Sequence, residues 1–216
     1  MPLTKPEILR RYRRQARHYD ASVVLYYLIG FRQAAYRKQA VAALGLQPGD
    51  TVVELGCGTG LNFAHLQAVV GAGGRIIGLD LTDQMLDEAR ARVQRAGWTN
   101  VELVCGDAAA YDYPPRVDGV LSTFALTLVP EYDEVIRRGA AALSPEGRFV
   151  VLDFKKPEHA PRWLLHLMLL VTKPFAVTLD LAQRHPWESM EMHLAEVVMR
   201  DYYFGFTYLA MGKAPR

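Results

Sequence analysis

Val52–Gly60 reads VVELGCGTG, a short apolar run that ends in an acid and then in alternating glycines. Thr51–Leu55 suits a buried strand of a parallel sheet. Gly56, Gly58 and Gly60 let the backbone turn tightly and approach a ligand with no side chain in the way. Leu61–Val70 has the composition of the following helix, so the loop lies at a strand end beside a helix N-terminus.

Glycine turns of this kind occur in dinucleotide sites too, and two details separate the readings. The spacing is G-x-G-x-G, with Leu61 where the G-x-G-x-x-G fingerprint places its third glycine. Glu54 also precedes the glycines, where a carboxylate repels a pyrophosphate but suits an ammonium group. S-adenosylmethionine has an α-amino group, a sulfonium and no phosphate, so the loop favours it over NAD. Arg75–Leu79 is a second apolar run ending at Asp80, which can accept ribose hydroxyls from either cofactor. Val101–Val104 is followed by Gly106 and Asp107, whose carboxylate can take an adenine amine while the Ala108 amide serves a ring nitrogen. Val117–Leu121 opens into Ser122, Thr123 and Phe124. Four strand tips thus carry groups suited to one ligand at the carboxyl edge of an open α/β sheet.

ELGCGTG, GLDLTDQML, CGDA and DGVLSTFAL, in this order and spacing, resemble the class I S-adenosylmethionine-dependent methyltransferases over roughly residues 45–153. The resemblance implies an α/β, Rossmann-like, seven-stranded and mostly parallel sheet with helices on both faces. It implies S-adenosyl-L-methionine as cofactor and S-adenosyl-L-homocysteine as product. Glu54, Gly56, Gly58 and Gly60 would surround the methionine portion, Thr123 would line it, Cys57 would shape the cofactor loop through its backbone, and Asn62 would be a further cofactor-binding residue. Asp80 would hold the ribose, bordered by Leu81 and Met85, and Gly106, Asp107 and Ala108 would meet the adenine.

The chain of 216 residues suits one domain, half apolar and 22% charged, with a net charge of +2. It divides into an N-terminal helical cap (1–45), a cofactor-binding core (46–153), an apolar and basic insertion (154–194) and an antiparallel hairpin (195–216) built from Val197–Phe204 and Phe206–Met211. Within the core, Thr82 can cap a helix over Asp83–Ala96, a further helix covers Pro130–Leu143, and strand five is Arg148–Asp153. Cys57 and Cys105 are too few for a metal site, so no metal is expected. No export signal is read at the N-terminus, which suits a cytoplasmic protein.

The acceptor half offers charge pattern more than motif. Arg10, Arg11, Arg13, Arg14 and Arg17 crowd one helix, followed by the apolar Val23–Ile29. The insertion carries Trp163–Val171 and Pro174–Leu181 among Lys155, Lys156, Arg162, Lys173 and Arg184. No run reaches the ~18–20 residues of a spanning helix. A basic helix beside short apolar segments suits peripheral contact with the anionic inner face of a membrane. The same arginines could bind nucleic acid, but the apolar runs argue for lipid.

RRYRRQARHYD followed by YYLIGFR resembles the start of bacterial lipid N-methyltransferases, those building phosphatidylcholine or betaine-lipid head groups. The Tyr19–Asp20 pair also resembles the opening of ubiquinone and menaquinone C-methyltransferases. The expectation is therefore N-methylation of phosphatidylethanolamine, with quinone C-methylation or betaine-lipid methylation as alternatives. A soluble amine acceptor, an NAD enzyme and a cofactor-binding protein without catalysis remain further readings. An amine acceptor must shed a proton, and its methylated cations suit an aromatic cage; a quinol carbon instead needs its phenol deprotonated. Tyr19, His18 and Asp153 are the candidate catalytic residues, with His159 and His185 as further bases. Tyr26, Tyr27, Lys155, Lys156 and Arg184 are candidates for holding the lipid substrate and its phosphate.

Overall fold

A computed structural model of the protein describes residues 4–24, 27, 30–157 and 184–215. Helix α1 (Lys5–Gln15) begins with Pro6 in its first turn, where its missing N–H costs nothing, and the Glu7 carboxylate accepts the Thr4 amide at 2.8 Å. A turn of 3-10 helix leads into α2 (Tyr19–Val24), and α3 (Gln33–Ala43) completes the cap.

The core then alternates: β1 (Thr51–Leu55), α4 (Phe63–Val70), β2 (Arg75–Asp80), α5 (Asp83–Ala96), β3 (Val101–Cys105), β4 (Val117–Thr123), α6 (Tyr132–Ala142) and β5 (Leu143–Phe154). After residues 158–183, which fall outside the described set, come α7 (Pro186–His193), β6 (Ala195–Tyr202) and β7 (Thr207–Lys213). The seven strands order as β3-β2-β1-β4-β5-β7-β6; β1 to β5 pair in parallel, while β7 pairs antiparallel with both β5 and β6. The Rossmann-like sheet with its C-terminal antiparallel hairpin is the architecture that the sequence implied.

Alternation along the strands divides the core into two layers. Val52, Ile76, Leu121, Val150 and Leu152 pack under Val41, Leu44, Phe63, Leu66, Leu86 and Val93 of α3, α4 and α5. Val53, Leu55, Ile77, Val120, Phe149 and Val151 pack under Val135, Ile136 and Met190 of α6 and α7. Nearly every one of these side chains is fully enclosed. At about 25 cal/mol per Å² of apolar surface, such burial is the main term holding the sheet and helices together.

Several boundaries differ from expectation, each for a local reason. Helix α4 starts at Phe63 and not Leu61, because Gly60 sits at a φ of 77° and Asn62 occupies the N-cap. Strand β5 begins at Leu143, where α6 breaks into extended backbone. Strand β6 stops at Tyr202, because Tyr203 and Phe204 take positive φ and Gly205 completes the turn. At the start of α5, Thr82 is the N-cap but makes no side-chain capping bond; its amide instead donates to Asp80 at 2.8 Å.

Candidate functional site

The order of the strands reverses between β1 and β4, and that crevice opens at their carboxyl ends. The register aligns Leu55 with Leu79 and with Ser122, and Asp80 with Cys105. Gly56, Asp80, Gly106 and Thr123 therefore meet along one edge. A cavity there is lined by Gly56, Cys57, Gly58, Asp80, Leu81, Met85, Gly106, Asp107, Ala108 and Thr123, all of them residues named from the sequence for the cofactor.

Two glycines shape its floor. At Gly56, φ is 66° and an added Cβ would lie 2.3 Å from the Ala125 Cβ, so no other residue fits without moving the loop after β4. At Gly58, φ is 56° and a Cβ would meet nothing within 4 Å, which leaves its backbone open to a ligand. Asp80 holds this loop: one oxygen accepts the Gly58 amide at 2.8 Å and the other accepts the Thr82 amide. Burial raises its pKa while these amides oppose the shift. A carboxylate has about four acceptor positions, and with the two amides and the Thr82 hydroxyl as donors one remains for a ribose hydroxyl. Asp107 accepts the Ala109 amide at 3.0 Å and the Lys5 ammonium at 2.6 Å. Desolvation would raise the Asp107 carboxyl, but those bonds hold it below its usual range.

Glu54, Gly60 and Asn62 are not part of the lining. Alternation places Glu54 on the face of Val52, beneath α4, where it is fully buried. One oxygen accepts the Asn62 amide at 2.6 Å, and Asn62 also donates to the Thr123 hydroxyl at 2.8 Å. Burial pushes the Glu54 carboxyl up to about 7, against the Asn62 bond and the nearby Arg37 charge. Glu54 and Asn62 thus sit behind Thr123 and support it.

The cap closes the other side with Lys5, Ile8, Tyr12, Tyr19 and Arg37, and the loop after β4 adds Phe124, Leu126, Leu128, Val129 and Pro130. Of these, the sequence points to Tyr12, Tyr19 and Phe124 but not to Lys5 or Arg37. Desolvation raises the Tyr19 phenol, so it remains protonated at neutral pH and can donate. Its neighbour Asp20 turns outward, accepting the Thr59 hydroxyl at 2.6 Å and the Arg92 guanidinium, whose Nε also donates to the Thr59 carbonyl at 2.8 Å. The Tyr19–Asp20 pair therefore clips the cap to the glycine loop through its second residue and faces the cavity with its first.

The other candidates lie elsewhere. His18 is exposed. Asp153 falls on the opposite face of the sheet, opposite Tyr208 in register, and binds the Thr127 amide at 2.9 Å. Burial pushes its carboxyl up to about 6. Arg184 donates to the Thr127 carbonyl at 2.7 Å. Both thus position the loop that walls the cavity without lining it. Lys155 pairs with Asp201 at 2.8 Å and lies over Trp187, Lys156 is exposed, and His185 pairs with Glu188 at 3.1 Å. Tyr27 is exposed, its hydroxyl near the Ala34 amide. Tyr26, His159, Arg162, Lys173 and the apolar runs at 163–171 and 174–181 lie outside the described residues.

A family model described as a methyltransferase domain matches residues 52–147. The core of the chain is thus similar to a methyltransferase domain. The chain is 34% identical to the demethylmenaquinone methyltransferase of Shouchella clausii over 124 residues, 57% of this chain and 53% of that protein. It is 32% identical to the enzyme of the same name from Listeria welshimeri over 129 residues, 59% and 54% respectively. The chain thus spans about half the length of the curated relatives it matches. A structure of an S-adenosylmethionine-dependent methyltransferase from Aquifex aeolicus superposes with a TM-score of 0.58 at 18% identity, covering 83% of this chain and 89% of that one, a likeness of fold. The residues present fit S-adenosylmethionine: Gly58 leaves open space beside the loop, Asp80 has acceptor capacity to spare and Asp107 presents a carboxylate, as its methionine, ribose and adenine parts would need.

Proposed function

We propose that the protein methylates a ring carbon of a lipid-soluble quinol, in preference to the amine of phosphatidylethanolamine. The carrying observation is the character of the cavity wall facing the cofactor edge. Ile8, Tyr12, Tyr19, Phe124, Leu126, Leu128, Val129 and Pro130 make it apolar and aromatic, and its charges beyond Asp80 and Asp107 are the cations Lys5 and Arg37. An ammonium acceptor, gaining permanent charge with successive methyl groups, needs an acid or an aromatic cage free of competing cations. A planar ring with an ionising hydroxyl fits this apolar, aromatic wall instead, and Arg37, the cation of the lining that no acid holds in an ion pair among the described residues, favours the phenolate that activates its carbon. The demethylmenaquinone methyltransferases among the relatives support the same choice.

The bound cofactor supplies an electrophilic methyl group. The chain's contribution is alignment and exclusion of water, since in-line displacement depends chiefly on holding nucleophile and methyl in register. Tyr19, protonated and lining the cavity, donates to the acceptor oxygen; Phe124 and Leu126 hold the ring. Access to a membrane-borne acceptor follows from α1, whose Arg10, Arg14 and Arg17 are exposed, with Arg11 half-buried, and so can meet anionic head groups. None of the described helices is long and apolar enough to cross a membrane.

The test is a labelled-methyl transfer assay offering demethylated quinol and vesicles containing phosphatidylethanolamine together. Label in the quinol is expected. Label in mono- or dimethylated phospholipid would overturn this reading in favour of head-group methylation.

A further inference from the structure

The turn that joins β6 to β7 holds an aromatic side chain in water against the preference of its own backbone. Phe204 is 82% exposed, and Tyr203, Phe204 and Gly205 take φ of 48°, 57° and 81°. Left-handed backbone suits Gly205 but is uncommon for a bulky ring, and no burial of the Phe204 side chain offsets it. Outliers of this kind gather where the backbone serves a function.

The register puts this turn at the same end of the sheet as the cavity. Thr207 lies opposite both Phe154 and Tyr202, so the turn stands at the carboxyl edge of β5. From Phe204 a run of rings leads inward. The centroids are 5.5 Å apart from Phe204 to Tyr203, 5.0 Å from Tyr203 to Phe31 and 5.9 Å from Phe31 to Phe124, which lines the cavity. Val24 at the end of α2 and Tyr27 just beyond it are exposed as well. The charge at this end is positive. Helix α1 lies along the same edge, since Lys5 reaches Asp107 beyond β3 and Arg13 reaches Asp83 at the start of α5. Arg10, Arg14 and Arg17 recur on its exposed side at helical spacing, and with Arg11 they meet no acid in an ion pair among the described residues. Glu7 beside them is engaged by Thr4.

A second copy seated on this end would set arginine against arginine. An anionic bilayer answers both features at once, with head groups for the arginines and acyl chains for the ring. We propose that the Tyr203–Gly205 turn is a lipid wedge, which places Phe204 in the interface of an anionic bilayer while α1 meets the head groups. The inference rests on the acceptor being lipid-soluble, and it names the part of the fold that meets the acceptor's membrane.

Sedimentation of the full chain with vesicles tests this without any acceptor. Wild type is expected to bind vesicles of phosphatidylglycerol and phosphatidylcholine more tightly than vesicles of phosphatidylcholine alone. Phe204→Asn should weaken that binding roughly 5- to 30-fold, while Phe204→Leu stays within about threefold. Asn tolerates left-handed backbone, so the Phe204→Asn variant should melt no lower than wild type, which separates a lost contact from a lost fold. Should it not fold, Phe204→Trp carries the test: its added fluorescence should shift to the blue on vesicles and be quenched by lipids brominated along the acyl chains. Equal sedimentation of wild type and Phe204→Asn, or an added tryptophan that these lipids leave unquenched, would overturn the inference. A dimer that Phe204→Asn dissociates, with vesicle binding unchanged, would overturn it in favour of a contact between copies. Label in phospholipid in the transfer assay, with sedimentation still dependent on Phe204, would overturn the quinol reading and leave the wedge standing.

Discussion

Asp80 joins two functions in one carboxylate. It faces the cavity, where it is the proposed ribose partner, and it also ties the Gly58 amide to the start of α5 through Thr82. Asp80→Ala should therefore lower S-adenosylhomocysteine affinity at least about 100-fold and also cost about 1–3 kcal/mol of stability, because two partly buried amides lose their acceptor. Calorimetry and denaturant unfolding measure the two effects separately. Unchanged affinity would remove Asp80 from the cofactor site. Asp107 differs, since Lys5 already neutralises it and α1 brings that ammonium from the far end of the chain. A residue named for the ligand can thus be partly occupied by the protein itself.

At the scale of elements, α1 buries none of its residues and is held by polar ties. Lys5 bridges Asp107 and Glu131 at 2.6 and 2.7 Å, and Arg13 pairs with Asp83 at 2.9 Å. Such half-exposed pairs contribute roughly 0–1 kcal/mol each. Lys5→Gln with Arg13→Gln should therefore leave global stability within about 1–2 kcal/mol while speeding amide exchange over residues 5–15, read by mass spectrometry. Unchanged exchange would mean that Ile8 and Tyr12 alone seat the helix. The remaining arginines serve the membrane reading. Gln at Arg10, Arg11, Arg14 and Arg17 should weaken sedimentation with anionic vesicles, and raised salt should do the same to wild type. Sedimentation that survives both treatments would separate the arginines from lipid contact.

The whole molecule carries buried acids whose protons are held more tightly folded than unfolded. Glu54 at about 7 and Asp153 at about 6 lie above the ordinary values of 4.5 and 3.8. The folded state therefore binds more protons than the unfolded chain between those limits, and stability from these groups falls as pH rises from about 4 through 7. Glu54→Gln removes one contribution, so the loss of stability between pH 5 and pH 8 should shrink by on the order of 2–3 kcal/mol. Thermal melts of wild type and variant across that range check the sign. An unchanged difference would place the Glu54 carboxyl in contact with solvent.

The cofactor edge was legible along the chain because its information is local. VVELGCGTG contains its strand, its turn and the glycines that the turn requires, and Asp80 and Asp107 sit at strand tips that apolar runs announce. The parallel strands β1 to β5 follow from the same alternation of strand and helix. Only the tertiary structure decided which side of each strand met the ligand. Period-two alternation carries Glu54 beneath α4 and sends Asp153 to the opposite face, so an acid at a strand tip need not enter the crevice. Lys5 and Arg37 were invisible for a related reason: one lies in a basic run and the other in an ordinary helix, and no local pattern marks either. Their positions beside Asp107 and Thr123 depend on contacts across 102 and 86 residues of chain, and such contacts exist only once the cap has docked on the sheet.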